Sequence, residues 1–160
     1  MTTFDQAFTK LLGNEGGYSN NEKDPGGETN WGVTKNVAVA NGYSGDMRDF
    51  TQEQAKVIYK KSYWDSFQAD KLHPDIRFDV FDGAVNSGVS QSIKWLQMSV
   101  GSFPDGVMGP STMACIETLP ASVITSHYNG FRLEFMTNLK TWVVFGGGWA
   151  KRIANNLKGT

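Results

Sequence analysis

Two acidic residues stand out by their surroundings. Glu15 follows directly on an apolar helical pattern and precedes Gly16, Gly17 and Tyr18; Asp24 comes nine residues later, among Asn20, Asn21, Glu22 and Lys23 and just ahead of Pro25, Gly26 and Gly27. Hydrolysis of a glycosidic bond needs two carboxyls of unequal character, one held protonated in a partly apolar setting and one ionised in a polar one. Attachment to the end of an apolar helix favours the neutral form of Glu15, whereas the polar company of Asp24 keeps it charged. The paired glycines let a bulky ring come close to backbone, and Tyr18 and Trp31 offer faces on which a sugar stacks. Taken singly, a glutamate at a helix end is most often just solvated, so the argument rests on the arrangement.

Other chemistries lack their fingerprints. There is no G-x-G-x-x-G, no G-x-x-x-x-G-K-[ST] and no G-x-S-x-G, which removes the dinucleotide, P-loop and α/β-hydrolase readings. Cys115 is the sole cysteine, and His73 and His127 are the two histidines, so no disulfide and no zinc spacing exist, and no metal or cofactor is expected. Cys115 sits in an apolar helical pattern with His127 twelve residues on. A Cys-His peptidase is one reading of that pair, and an inert buried thiol beside a packing histidine is the commoner one.

The chain has 160 residues, fifteen basic and sixteen acidic groups, and eighteen glycines. One domain, 1–160, is expected from that length, and the net charge of −1 gives no cationic field for nucleic acid. Charge is unevenly placed, however. Residues 1–80 carry nine basic and twelve acidic groups, residues 81–160 six and four. From Arg132 onward five cations (Arg132, Lys140, Lys151, Arg152, Lys158) face one anion, Glu134, interspersed with Trp142, Phe145, Trp149 and Ile153. Such a tail is either a solvated last helix or a weak contact with an anionic envelope, wall polymer or lipid. The longest apolar runs are four residues and the first residues have no basic, apolar leader. A cytoplasmic monomer is expected.

The elements that must position these residues are helices. Phe4, Ala7, Phe8, Leu11 and Leu12 fall on one helical face, Thr3 with Gln6 forms a capping box, and Gly13 supplies a stop. Residues 14–33 read as a long polar loop with room for a short hairpin, and a loop of that length in a compact domain is usually functional. Helices are then predicted after Thr51, from Pro74 through Val85, from Ser90 through Leu96, from Pro110, from Pro120 through Leu139, and from Trp149 to Leu157. Tyr59, Tyr63 and Trp64 read mainly as core. In the Pro74 helix, Asp79, Asp82 and Asn86 make a polar stripe beside Phe78, Phe81 and Val85. Such a stripe suits the wall of a cleft, with Asn86 either bonding an N-acetyl group or ending the helix beside Gly88. The fold class is mainly α.

The string E-G-G-Y-x5-D-P-G-G-x-T-x2-G-V-T over residues 15–34 resembles the signature of glycoside hydrolase family 108 lysozymes, the endolysin-type and secretion-activator-like muramidases. Residues 79–88, DVFDGAVNSG, resemble that family's central helix; 105–112, DGVMGPST, and 145–152, FGGGWAKR, resemble its C-terminal part, so that about 90–155 corresponds to a predicted peptidoglycan-binding portion. The resemblance implies a lysozyme-like helical globule that cleaves the β-1,4 bond between N-acetylmuramic acid and N-acetylglucosamine in peptidoglycan. Glu15 then takes the place of the general acid, and Asp24 and Thr29 those of residues that set the attacking water. Tyr18, Trp31 and Asn86 are the candidate substrate contacts. The resemblance also implies a phage or prophage lytic role, with release to the wall through a holin-type lesion or on lysis. The alternative in a different class is a peptidoglycan-binding protein without catalysis.

Overall fold

The computed structural model describes residues 2–13, 17–20 and 27–159, and the chain divides into two compact units, Thr3–Asp65 and Met1–Thr2 with Ser66–Thr160.

In the first unit, helix α1 (Phe4–Leu12) forms as its sequence dictates. Thr3 accepts from the Gln6 amide, the Gln6 side chain answers to the Thr3 amide, and Gly13 closes the helix at φ 57°. Ala7 and Phe8 are buried, and Phe8 meets Tyr59 edge-on at 5.3 Å. Strands β1 (Thr29–Asn30) and β2 (Val33–Thr34) pair antiparallel, Thr29 opposite Thr34 and Asn30 opposite Val33. Only Trp31 and Gly32 connect them, and both have positive φ, 51° and 73°. That is the backbone of a type I′ hairpin turn, whose twist suits the strands but strains any residue other than glycine, asparagine or aspartate. Asn30 secures the hairpin from below: its buried amide donates to the carbonyls of Met47 at 2.7 Å and Phe50 at 3.2 Å. Helix α2 (Lys35–Ala40) follows at once, capped by the Thr34 side chain; its single buried residue, Ala38, leaves too short a pattern for a sequence reading to find. Helix α3 (Gln52–Tyr59) starts on the expected Thr51–Gln54 capping box and runs into a π turn, Lys60–Trp64. Trp64 and Tyr59 are core, as expected.

The second unit holds α4 (Pro74–Ser87), α5 (Val89–Ser99), α6 (Pro110–Ile116), α7 (Ala121–Thr137) and α8 (Trp142–Lys158). Their core gathers Ile76, Val80, Phe81, Ile93, Trp95, Leu96, Ile124 and Tyr128. Close packing is enforced at Gly83: a β-carbon there would lie 1.9 Å from the Tyr128 hydroxyl, which is 2.7 Å from the Ser92 Oγ, and Ser92 in turn donates to the Val80 carbonyl.

Two helix ends differ from expectation. Helix α7 stops at Thr137 rather than Leu139, and α8 begins at Trp142 rather than Trp149. Gly146–Gly148 look like breakers, yet they are helical. Gly146 is buried against the Trp142 ring, where a β-carbon would come within 2.5 Å of Cδ2, so the packing that needs a glycine outweighs its modest cost to a helix. The mainly α class with a short hairpin after the first helix is what the chain adopts.

Candidate active site

Glu15 and Asp24 lie outside the described residues, so the site is built from the residues that flank them. Ser19 and Thr29 exchange two backbone hydrogen bonds, both 2.8 Å. Ser19 and Thr29, which flank residues 20–28 in the sequence, are thereby joined at a neck. Beside this bridge, the Tyr18 hydroxyl donates to Glu28 Oε1 at 2.9 Å and Lys35 Nζ reaches Glu28 Oε2 at 2.5 Å. The Lys35 amide also donates to the Glu28 carbonyl at 2.8 Å. The Arg48 guanidinium covers the Tyr18 ring at 5.1 Å and pairs with Asp46. Glu28 is thus the knot that ties both sides of the neck to the hairpin.

The electrostatics follow from these contacts. Hydrogen bonds first from Lys35 and then from Tyr18 hold the Glu28 carboxyl below its ordinary range, so it is ionised at neutral pH and has no proton to give. Partial desolvation, then the bond to Glu28, raises the Tyr18 phenol, which stays a donor. Thr29 donates its hydroxyl to the Gly27 carbonyl at 3.3 Å and retains an acceptor lone pair for water. Trp31, half-buried, is held at the strained first position of the hairpin turn, a conformation that persists where surrounding structure over-determines it. Gly32 is equally constrained, since a β-carbon there would stand 2.5 Å from the Tyr59 hydroxyl.

Tyr18, Thr29 and Trp31 therefore belong to one unit, on or beside one hairpin. Asn86 belongs to the other. Its amide nitrogen donates to the Asp82 carbonyl at 2.7 Å and to Asp82 Oδ1 at 3.0 Å, while the helix is closed by Gly88. The stripe expected to wall a cleft is largely enclosed: Asp79 and Asp82 are 6% and 1% exposed. Asp82 binds Arg132 at 2.6 Å, Arg152 at 2.8 Å and Asn156 at 3.1 Å. Burial pushes its carboxyl up, but the two guanidiniums outweigh it and the net shift is downward. This network fastens α4, α7 and α8 together.

Other expectations about residues change as well. Arg132, read as the first cation of a solvated tail, is 1% exposed and spent on Asp82. His127 is exposed rather than packed in the core; it rims a groove of about 650 Å³ with Val100, Leu119, Phe131 and Glu134, its Nδ1 3.3 Å from the Ser99 carbonyl. Cys115 is half-buried and does not line that groove. The D-G-x2-G-P-x-T motif wraps around the buried side chain of Gln97. Its nitrogen donates to Asp105, to the Val107 carbonyl and to Thr112, and its oxygen accepts from the Gly106 amide. Among the described residues no cluster of His, Cys, Asp and Glu is arranged to hold a metal, and no helix is long and apolar enough to cross a membrane.

Glu28, Lys35 and Arg48 were missed by sequence reasoning. Once a two-residue turn at Trp31–Gly32 is recognised, the register places Glu28 opposite Lys35, a cross-strand charge pair; no helical or alternating period marks it.

The sequence profile of glycosyl hydrolase 108 matches residues 8–88, half of the chain. The chain belongs to this family. A solved structure described as Brucella abortus SagA superposes with a TM-score of 0.84 at 31% identity, covering 97% of this chain and 91% of that one. No curated protein matches the sequence. Membership in family 108 makes the chain a glycoside hydrolase, of a family that acts on peptidoglycan. The family match contains the whole E-G-G-Y to G-V-T string, with the Ser19–Thr29 neck and the Glu28 knot inside it, and ends at Gly88, the cap of α4.

Proposed function

We propose that this family 108 hydrolase is an N-acetylmuramidase, cutting the β-1,4 bond between N-acetylmuramic acid and N-acetylglucosamine. Glu15 is the general acid: its proton goes to the glycosidic oxygen as the bond to the anomeric carbon breaks. Asp24, with Thr29, sets a water on the opposite face of the sugar; the water oxygen bonds to the anomeric carbon as its proton passes to Asp24. The observation that carries this reading is the family match over residues 8–88, with a neck that holds Tyr18 and Thr29 at the two ends of the Asp24 segment. Glu28 is not the acid, because Lys35 and Tyr18 stabilise its ionised form. Tyr18 and Trp31 supply stacking faces for the glycan. Cutting glycan strands removes the tensile strength of the wall, so the activity is bacteriolytic.

The bond is read directly from digested murein by mass analysis. A muramidase leaves N-acetylmuramic acid at the new reducing end, and the water-setting role of Asp24 makes the first-formed anomer α, inverted from the β linkage. Fragments that end in N-acetylglucosamine, or in an anhydro sugar formed without water, contradict the assignment.

A further inference from the structure

The first turns of α8 present apolar side chains to solvent. Val143 is 89% exposed, Val144 71% and Phe145 54%. The helix is not free to bury them by rolling. Gly146 and Ile153, seven residues apart, form its buried side, the Trp142 ring covers Gly146 and meets the Trp149 ring at a tilt, centroids 6.2 Å apart, and Arg152 and Asn156 are tied to Asp82. The opposite side is therefore fixed outward. By the same seven-residue spacing it carries Val144, Lys151 and Lys158. Gly147 and Gly148 lie between, with open space where a β-carbon would stand.

Charge on this side has one sign. After Glu134 the sequence contains no acidic side chain, and Lys140, Lys151 and Lys158 are exposed. Arg132 and Arg152, by contrast, are committed to Asp82. An exposed apolar turn followed along one helix face by lysines, with no carboxylate among them, complements an anionic lipid surface. The apolar side chains enter the boundary between headgroups and acyl chains, and the lysines meet the phosphates. A neutral protein partner would leave these cations unanswered, and a wall polymer offers little for Val143 and Val144 to enter.

We propose that the outer face of α8 docks on an anionic membrane surface, with Val144 inserted at its centre, Val143 and Phe145 on its two flanks, about 100° to either side, and Lys151 and Lys158 on the headgroup phosphates. The contact is reversible, since three apolar side chains fall far short of a stable anchor, and it is screened by salt. It does not depend on which glycosidic bond the enzyme cuts.

The test is co-sedimentation of the full chain with phosphatidylcholine vesicles, with and without phosphatidylglycerol, at low and physiological salt. The wild type is expected to partition on the order of ten-fold or more better onto the anionic vesicles, and to lose most of that advantage as salt rises. Val143→Asp with Val144→Asp, and separately Lys151→Glu with Lys158→Glu, should each remove it, with far-ultraviolet circular dichroism unchanged because all four positions are exposed. Absence of vesicle binding, equal binding to both vesicle types, or binding untouched by either pair overturns the proposal. Two further results also overturn it: loss of binding to lipid-free murein in step with these substitutions, which makes the wall polymer the occupant, and loss of a dimer in sedimentation velocity, which makes it a second copy.

Discussion

Glu28 joins Tyr18, Lys35 and the hairpin backbone in one contact set, so its charge holds a shape. Its folded pKa is depressed by Lys35 and then Tyr18. The contribution to the neck is therefore present above the ordinary glutamate range and is lost as pH falls through the depressed value. Glu28→Gln should cut peptidoglycan hydrolysis by about ten-fold or more at neutral pH, because small displacements of catalytic groups are costly. The melting temperature should barely move, since the group is near the surface. Unchanged kcat at unchanged KM would show that the neck has no part in positioning. Asp82 makes the opposite trade. Its carboxylate is enclosed with the Arg132 guanidinium, the two side chains 2% and 1% exposed. Asp82→Asn strands a buried cation and should cost about 3–5 kcal/mol, lowering the melting temperature by about 10 °C. As its pKa is lowered in the fold, the stabilisation is complete at neutral pH and fades in acid, below about pH 4. Stability of the wild type should then fall more steeply there than that of the variant.

At the scale of elements, the hairpin is the piece on which the site depends, and its turn is where local rules are broken. Trp31 occupies a left-handed position that a bulky residue disfavours, and Gly32 fits only because it lacks a β-carbon beneath Tyr59. Gly32→Ala is expected to cost about 3 kcal/mol, part backbone strain and part overlap with the hydroxyl. In a Tyr59→Phe background the overlap is relieved and the strain is not, so chemical denaturation of the double variant should recover only part of the loss. The same elements show what a sequence can disclose. Capping boxes at Thr3 and Thr51 and the proline starts at Pro74 and Pro110 are local signals, and those helices begin where the signals stand. Helix α8 was half hidden, expected only from Trp149, because its start depends on a tertiary contact in which the Trp142 ring requires Gly146. The burial of Arg132 was invisible for a like reason: its partner Asp82 is fifty residues away. Of the residues proposed for the site, Tyr18 and Trp31 were legible as aromatic faces in the loop, and Thr29 came only through the family resemblance. The Glu28 knot was not legible, since it depends on strand register.

Over the whole molecule, the near-zero net charge averages two differently built units. The unit Thr3–Asp65 carries the neck and hairpin; the other carries a helical core bolted by Asp82 and ends in a helix whose outer lysines are exposed. The C-terminal motifs that resemble a peptidoglycan-binding portion have internal uses, around Gln97 and against Asp82, while the stacking faces proposed for the glycan, Tyr18 and Trp31, lie in the hairpin unit. In the proposed function one proton comes from Glu15. The most direct measurement is the rate at which purified Glu15→Gln protein releases new reducing ends from murein, with its circular dichroism matched to the wild type. A loss of at least about a hundred-fold with the fold intact is expected. Release at close to the wild-type rate would contradict it.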